Sequence, residues 1–370
     1  MKKIIIFSNT SWSLYNFRKN LILELIKKKF KVIILSNRDE TTSKLKDIGC
    51  IFYHVKIERR GSKILSEIFT LLKIYKIIKN IRPDILFNFT VKPIIYGGLV
   101  SRILKIKTLN TLDGIGAAFE IAKFKKIILN YLIKLSQKKI NNFFFVNSSD
   151  LNFFVKNKFI LKKKTKLING TGIDLEYFKY KKNLFQKKII FLLISRLLYS
   201  KGVLNYLDSA VLISKNFKKK CLFYVAGKTD KDFKDSIPLL KLKKYQRHSN
   251  IKIFYNVKNI KNLIYKSNCV VLPTIYNEGL PRSLLEAASI GRPIITTNIP
   301  GCKRIAKNNY NALIYDKKRP HNLNNCIMKF ILMKKNKKAD MSLNSNKLAK
   351  KFNEKKIISK YINFINEKKN

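Results

Sequence analysis

Ile4-Ile5-Ile6-Phe7, then Ser8-Asn9-Thr10, a helical pattern over residues 14–29 and Val32-Ile33-Ile34-Leu35 make one strand–helix–strand unit. An apolar run without polar alternation reads as a strand buried on both faces. The polar turn gives way to a 3.6-residue period, the mark of a helix that lays one side on a sheet. A second apolar run after that helix predicts a parallel neighbour, because parallel strands need a crossover between them.

The alternation recurs along the chain. Residues 85–89, 143–146, 189–194, 222–226, 270–273 and 294–297 are strand-like, with helical periods between them. The fold class is α/β, with parallel sheets. Lys179-Tyr180-Lys181-Lys182-Asn183 interrupts the periodicity between Phe178 and Lys188, and a fresh strand starts at Ile189. The predicted organisation is a Rossmann-like domain over 1–180, a second over 181–345, and a C-terminal helix over 346–370. That helix carries Ile357, Ile358, Tyr361, Ile362 and Ile365 on one face, which packs back on the body. Open α/β sheets bind ligands beyond the carboxyl ends of their strands, so the expected site is a cleft between the two domains.

Composition narrows the class. The 370 residues are 46% hydrophobic with 13 Gly and 8 Pro, which excludes a collagenous or disordered chain. Lys and Arg number 78 against 22 Asp and Glu, a formal charge of +56. Such a surface attracts phosphate-rich partners, whether nucleic acid, anionic lipid or diphosphates; an A/T-rich coding bias explains the same lysine, isoleucine and asparagine abundance. The five cysteines are scattered without a CxxC pair, and the three histidines lie far apart, so neither a zinc site nor a disulfide framework is expected. The first apolar run stops after four residues, too short for a signal peptide, and no uncharged stretch is long enough to span a bilayer. A cytoplasmic protein is expected, soluble or peripheral on the inner face of the cytoplasmic membrane.

Three loops at strand ends carry candidate chemistry. Ser195-Arg196-Leu197-Leu198-Tyr199-Ser200-Lys201-Gly202 offers a guanidinium fork and an ammonium that suit a diphosphate, or simply a solvated basic loop. Val225-Ala226-Gly227-Lys228 places a glycine at a strand end, for a nucleotide's approach or for a turn. Asn277-Glu278-Gly279-Leu280-Pro281-Arg282-Ser283-Leu284-Leu285-Glu286-Ala287-Ala288 frames a strand-to-helix junction with two acids in an acid-poor chain. Pro281 suits a first helical turn, whose N–H groups face an anion. Spacing alone leaves open both a donor platform and a capped helix with a surface glutamate.

The Glu278-x7-Glu286 spacing around Gly279-Leu280-Pro281 resembles the signature of glycosyltransferase family 4. Gly291-Arg292-Pro293-Ile294-Ile295 with Gly301, the Arg196…Lys201-Gly202 pair, and Gly172-Ile173-Asp174-Leu175-Glu176-Tyr177-Phe178 are similar to that family's segments, in its order. The resemblance implies a GT-B architecture, two Rossmann-like domains facing a cleft, with retention of configuration and no metal or other cofactor. It implies that Arg196 and Lys201 bind the donor diphosphate and that Glu286 binds ribose. Glu278 would contact the transferred sugar, while Gly227, Gly279, Leu280 and Pro281 line the donor site. The acceptor hydroxyl would attack on the face the diphosphate leaves, and the leaving diphosphate would take the proton, its charge stabilised by Arg196 and Lys201.

In the first half, Ser8-Asn9-Thr10-Ser11-Trp12-Ser13-Leu14-Tyr15-Asn16-Phe17-Arg18, Thr90-Val91-Lys92-Pro93 and Thr111-Leu112-Asp113-Gly114-Ile115-Gly116 resemble a subgroup. That subgroup adds a sugar, often an N-acetylhexosamine, to polyprenyl-diphosphate-linked saccharides. Trp12, Tyr15, Arg18, Lys92, Asp113 and Gly114 are the acceptor-side candidates; ordinary βα-loop chemistry accounts for the same residues. Ser11-Trp12-Ser13 departs from the glycine-rich first loop of many members. Arg304 stands where many carry an acid, and the 111–116 loop lacks the histidine of many relatives.

The implied partners are a nucleotide-sugar donor, most simply a UDP-sugar, and a lipid-linked or other glycan acceptor. An anionic membrane surface is a third: residues 121–135 and 62–80 are basic and amphipathic. Such stripes more often face a core, and that is the expectation here. Two other functions fit less well. A nucleotide-sugar 2-epimerase needs cleft carboxylates that this chain offers sparingly. A nucleic-acid-binding protein would show a zinc finger, an RRM signature or a localised basic tail, and no nucleic acid is expected.

Overall fold

A computed structural model describes residues 1–58, 64–115, 123–185, 188–229, 233–257, 259–276 and 279–367. The chain forms two units, Met1–Gly172 with Lys355–Asn370, and Ile173–Glu354.

Unit 1 runs β1 (Lys3–Thr10), α1 (Ser11–Lys27), β2 (Lys31–Asn37), α2 (Thr42–Asp47), β3 (Ile51–His54), α3 (Ile64–Ile81), β4 (Ile85–Phe89), α4 (Val91–Leu104), β5 (Lys107–Leu112), α5 (Lys123–Gln137), β6 (Asn142–Phe145), α6 (Ser148–Lys156) and β7 (Thr165–Leu167). Its parallel sheet has the order β3-β2-β1-β4-β5-β6-β7. Ile4–Phe7 pair with residues 32–35 on one side and 85–88 on the other, and all four are wholly buried, as their lack of alternation requires. Right-handed crossovers put α1 and α2 on one face and α3 to α6 on the other. On that second face Ile74, Ile78, Ile94, Ile133 and Phe154 meet Ile5, Phe7, Ile33 and Leu35.

β5 is wholly buried although Lys107, Thr108, Asn110 and Thr111 are polar. Buried polar groups must be paired, and these are. Asn110 Nδ2 donates to Gln137 Oε1 (2.6 Å), and its Oδ1 accepts from Asn88 Nδ2 (2.8 Å). Thr111 Oγ1 lies 2.9 Å from the Tyr361 hydroxyl. Lys107 Nζ donates to the carbonyls of Ile365 (3.2 Å) and Glu367.

Unit 2 runs β8 (Ile189–Ile194), α7 (Val203–Phe217), β9 (Cys221–Gly227), α8 (Leu239–Gln246), β10 (Ile251–Tyr255), α9 (Ile260–Lys266), β11 (Cys269–Leu272), α10 (Arg282–Ile290), β12 (Ile294–Thr297), α11 (Pro300–Lys303), β13 (Ala312–Tyr315), α12 (Asn322–Leu332) and α13 (Lys335–Ala349). Its parallel sheet has the order β10-β9-β8-β11-β12-β13. One face buries Phe191, Phe223 and Val271 against Val203, Tyr206 and Phe330; the other buries Leu192, Val270 and Leu272 against Leu284, Leu285 and Ala288.

The chain passes between units at 172/173 and 354/355, so residues 173–180 and 346–354 fold with unit 2. Ile173 and Phe178 are buried in its core, and Ile173 N–H donates to Phe352 O (2.8 Å) while its carbonyl accepts from Glu354 N–H (3.1 Å). The basic interruption at 179–183 is therefore a segment of unit 2. The tail helix, α14 (Glu354–Asn366), returns to unit 1. Its Tyr361 ring packs edge-on against Phe87 (5.6 Å) and Phe144 (5.3 Å), with Phe364 beside Phe87.

The two basic amphipathic stripes divide differently from the core expectation. Ser62, Ile121 and Ala122 lie outside the described residues. In α3, Ile74 and Ile78 are buried but Leu65, Ile68, Phe69 and Leu72 are exposed; in α5, Ile133 is buried but Ile127, Ile128 and Tyr131 are exposed. The core takes the C-terminal half of each stripe because that half lies over the sheet. Among the described residues no helix is long and apolar enough to cross a membrane.

Candidate functional site

In unit 2 the candidate residues sit beyond the carboxyl ends of β8, β9 and β11, where an open sheet leaves room for a ligand. The chain leaves β8 through Arg196, forms a 3-10 turn over Tyr199–Lys201 and enters α7 at Gly202. Gly202 has φ +70, and a Cβ there would lie 2.1 Å from the Pro273 carbonyl oxygen, so only glycine fits. The same test explains Gly227. A Cβ would lie 2.1 Å from Ser195 O, so this glycine lets the end of β9 close against the loop that carries Arg196.

That loop is fixed by a residue that sequence reasoning missed. Asp235 accepts from Ser200 N–H (3.1 Å to Oδ2) and from the Ser200 hydroxyl, and its carbonyl accepts from Tyr199 N–H (2.9 Å). The Ser200 carbonyl in turn accepts from Ile275 N–H (2.9 Å) and from Thr274 Oγ1 (3.2 Å). One hydrogen-bonded chain thus ties the Arg196–Lys201 loop to the segment after β11. The exposed Arg196 guanidinium lies 5.0 Å from the Phe233 ring centroid, and Lys201 Nζ lies 4.8 Å from that of Tyr276. No motif marks Asp235, Phe233 or Tyr276, so spacing had no means of finding them.

Asn277 and Glu278 lie outside the described residues. Gly279 and Leu280 lead into Pro281, which is the N-cap residue at the start of α10. Among the described residues, the N-cap residue Pro281 supplies no capping side chain to α10. Glu286, one turn inside, has its Oε1 2.9 Å from Arg282 Nε. Burial pushes the Glu286 carboxyl pKa up, with Arg282 pulling against it. Arg282 also lies 6.0 Å from the Phe178 ring, which links this pair to the 172–178 run.

The rest of the motif is structural. Gly291 ends α10 at φ +87 with the Tyr180 ring against it. Arg292 is 1% exposed and donates to the carbonyls of Ile264 (3.0 Å), Lys181 (2.9 Å) and Tyr265 (3.0 Å); burial lowers its pKa to about 10. Arg304, at the position noted as a departure, lies 5.9 Å from the Phe352 ring.

In unit 1 the acceptor-side candidates differ in exposure. Thr10 caps α1 by accepting from Ser13 N–H (3.2 Å), and Trp12 N–H donates to Asp39 Oδ2 (2.8 Å), which leaves the Trp12 ring exposed against the edge of Phe17. Tyr15 lies between the ammonium groups of Lys19 (5.3 Å) and Lys44 (5.5 Å). Arg18 is buried and cannot face a ligand directly. Its Nη2 holds both carboxylate oxygens of Asp113, at 2.7 and 2.9 Å, and its guanidinium lies 4.4 Å from the Phe89 ring centroid. Burial alone would lower the Arg18 pKa, but Asp113 and Tyr361 outweigh it and the net shift is upward. Asp113 itself is half-exposed at the end of β5.

Next along, Gly114 has open space beside its Cα. Ile115 N–H donates to Asp150 Oδ2 (3.1 Å), an anchor that the sequence did not suggest, and Gly116 lies outside the described residues. Lys92, at the start of α4, bonds Glu67 of α3 at 2.5 Å. Beside it Thr90 takes φ +73, a conformation that β-branched residues adopt only under constraint.

Residues 176–348 match the family described as "Glycosyl transferases group 1", and residues 3–147 the one described as "Glycosyl transferase 4-like". The chain is 27% identical to the N,N'-diacetylbacillosaminyl-diphospho-undecaprenol alpha-1,3-N-acetylgalactosaminyltransferase of Campylobacter jejuni, over 97% of each chain. It is 25% identical to the UDP-Gal:alpha-D-GlcNAc-diphosphoundecaprenol alpha-1,3-galactosyltransferase of Escherichia coli, over 70% of this chain and 68% of that protein. Among solved structures it resembles a glycosyltransferase from Rickettsia africae (TM-score 0.73, 17% identity, 98% and 97% covered). It also resembles an Anabaena protein in complex with UDP and glucose (TM-score 0.77, 14% identity, 99% and 100% covered). Both likenesses bear out the GT-B fold expected from the sequence.

Proposed function

Since the chain belongs to glycosyltransferase family 4, whose members retain anomeric configuration, we propose that it moves a hexose or N-acetylhexosamine from a UDP-sugar to a polyprenyl-diphosphate-linked saccharide. The observation that carries the donor half is the α10 N-terminus. Its N-cap residue Pro281 supplies no capping side chain, and the Arg196–Lys201 loop is tied through Ser200 to the same strand end. Helix N-termini and cations together suit a diphosphate. In this reading Arg196 and Lys201 hold the diphosphate against Phe233 and Tyr276, the backbone at Gly279, Leu280 and Pro281 lines the site, and Gly227 packs the loop behind. Glu286 accepts from the ribose hydroxyls, and Glu278 contacts the transferred sugar.

Chemistry follows from these placements. The acceptor hydroxyl attacks on the face that the diphosphate leaves, and the departing diphosphate takes its proton. Arg196 and Lys201 stabilise the charge that grows on it, which is strongest in the transition state and so raises kcat. Named activities of the Campylobacter and Escherichia relatives support the lipid-linked acceptor, and the half-exposed Asp113, Trp12 and Lys92 are the residues we assign to it. Five free cysteines suit a reducing compartment, in keeping with a cytoplasmic site of action.

The test is transfer from a panel of UDP- and GDP-sugars to polyprenyl-diphosphate saccharides. Glu278→Ala lowers kcat by about 100-fold or more with the fold intact, on the scale of losing one transition-state contact, and Glu286→Ala, which removes a ribose contact made in ground and transition states alike, lowers kcat/KM chiefly through KM. Full activity in both variants sinks the donor assignment.

A further inference from the structure

The two members of the Arg18–Asp113 ion pair differ sharply in exposure. The Arg18 side chain is 4% exposed and that of Asp113 is 40% exposed. Burying a guanidinium is costly, and an ion pair kept for stability alone is often equalled by apolar side chains of the same volume. Here the buried cation holds a carboxylate that stays open to solvent just after β5, next to the open space at Gly114. Arg18 stands about two turns into α1. Its guanidinium lies over Phe89 at the end of β4, and so reaches the neighbouring strand end that carries Asp113.

The tail helix completes that grip. Arg18 Nη1 lies 3.5 Å from the Tyr361 hydroxyl, and Thr111 Oγ1 lies 2.9 Å from the same oxygen. A guanidinium only donates, so the Tyr361 oxygen accepts from it and its own O–H donates to Thr111. Thr111 stands two residues before Asp113. The Tyr361 ring is wedged among Phe87, Phe144 and Phe89, the last at 6.1 Å, so its hydroxyl has a fixed place. Elements α1, β4, β5 and α14 thus meet at one guanidinium. Thr90, next after Phe89, holds φ +73, and backbone strain of that kind gathers at binding sites.

Charge selects what Asp113 takes. A carboxylate accepts hydrogen bonds and repels phosphate, so it suits the hydroxyl or amide donors of a sugar and not the diphosphate of a lipid-linked acceptor. Resting on the transfer reading above, we propose that Asp113 holds the terminal sugar of the acceptor, and that Arg18 and Tyr361 are positioning residues that aim its carboxylate. The C-terminal helix then serves acceptor recognition as well as the fold.

The test is steady-state transfer by the full chain, with the UDP-sugar and polyprenyl-diphosphate saccharide that the panel above turns over fastest. Asp113→Asn raises KM for the acceptor by about thirtyfold, the scale of one hydrogen bond to a charged group. Tyr361→Phe keeps the ring and removes the hydroxyl, and raises the same KM by about fivefold. KM for the UDP-sugar and kcat stay within about twofold in both, since no donor contact is touched. In the Asp113→Asn background Tyr361→Phe adds nothing to the acceptor KM, because it acts through that carboxylate, although it still lowers the urea midpoint. The same saccharide presented as a nitrophenyl glycoside, without the diphosphate, shows the same ratio of KM between Asp113→Asn and wild type. An unchanged acceptor KM in Tyr361→Phe overturns the proposal, whatever its urea midpoint, because the network is then purely structural. A lower acceptor KM in Asp113→Asn also overturns it, because the carboxylate then faces the diphosphate. Effects that multiply in the double variant remove Tyr361 from the positioning role. A chain that turns over no pair fails the transfer reading and takes this proposal with it, whereas transfer with an acceptor KM indifferent to all these variants counts against this proposal alone.

Discussion

Glu286 is held where its charge is costly, because burial raises its pKa and the Arg282 ion pair only partly opposes that rise. The folded-state pKa lies above the unfolded one, so the native state binds the extra proton between the two values. Stability therefore falls as pH climbs from about 4.5 through the folded pKa. Glu286→Gln should unfold at higher denaturant than wild type at pH 7, with the difference gone at pH 4, while kcat/KM for transfer falls. Denaturant midpoints at the two pH values read this; a difference of equal size at both would show that the charge carries no such cost. Arg18 poses the reverse case. Asp113→Asn leaves a buried guanidinium against a neutral amide and costs about 2 kcal/mol, reduced from the fully buried case because Asp113 is half-exposed. Tyr361→Phe removes a smaller contribution, about 1 kcal/mol, by taking the hydroxyl from Thr111. Urea titration orders the two variants.

The loop between β8 and α7 shows how an element can depend on one backbone position. Gly202→Ala puts a Cβ against the Pro273 carbonyl at a φ that alanine resists, so it should destabilise unit 2 by about 2 kcal/mol and weaken UDP binding by displacing Lys201. Calorimetric titration with UDP measures the second effect. This element was legible because its strand is a pure apolar run, and the same holds for the runs in β1, β2, β6, β9 and β11, while β4 and β12 were read despite Asn88 and Thr296-Thr297. β5 was not, since four of its six residues are polar and find partners only in the folded sheet. β3, β7, β10 and β13 are the edge strands of their sheets, and exposed or half-exposed residues break the apolar run in β3, β7 and β10. In the candidate site, residue types and spacing were readable from chain order. The organising contacts were not, because Ser200–Asp235 and Arg18–Asp113 join positions 35 and 95 residues apart. Segment 291–293, matched as a family segment without an assigned role, serves the fold, since Arg292 holds three carbonyls inside it.

At the scale of the molecule, unit 2 is continuous in sequence while unit 1 is closed by residues from the far end of the chain. A fragment of 173–354 should unfold cooperatively on its own. A fragment of 1–172 should stay insoluble until a peptide of 355–370 is supplied, because Phe87, Phe144 and Lys107 lose Tyr361, Phe364 and the tail carbonyls. Solubility and circular dichroism of the two fragments, with and without the peptide, decide the matter. The returning helix also sets an order of events at the ribosome. Once Gly172 has been added, about 10–40 s of synthesis remain before the tail is reached, at usual elongation rates. For that interval the second unit is free to mature while the first presents an aromatic sheet face with its cover still untranslated. The half made first is finished last, and a chaperone that shelters nascent chains has its natural client in that open face.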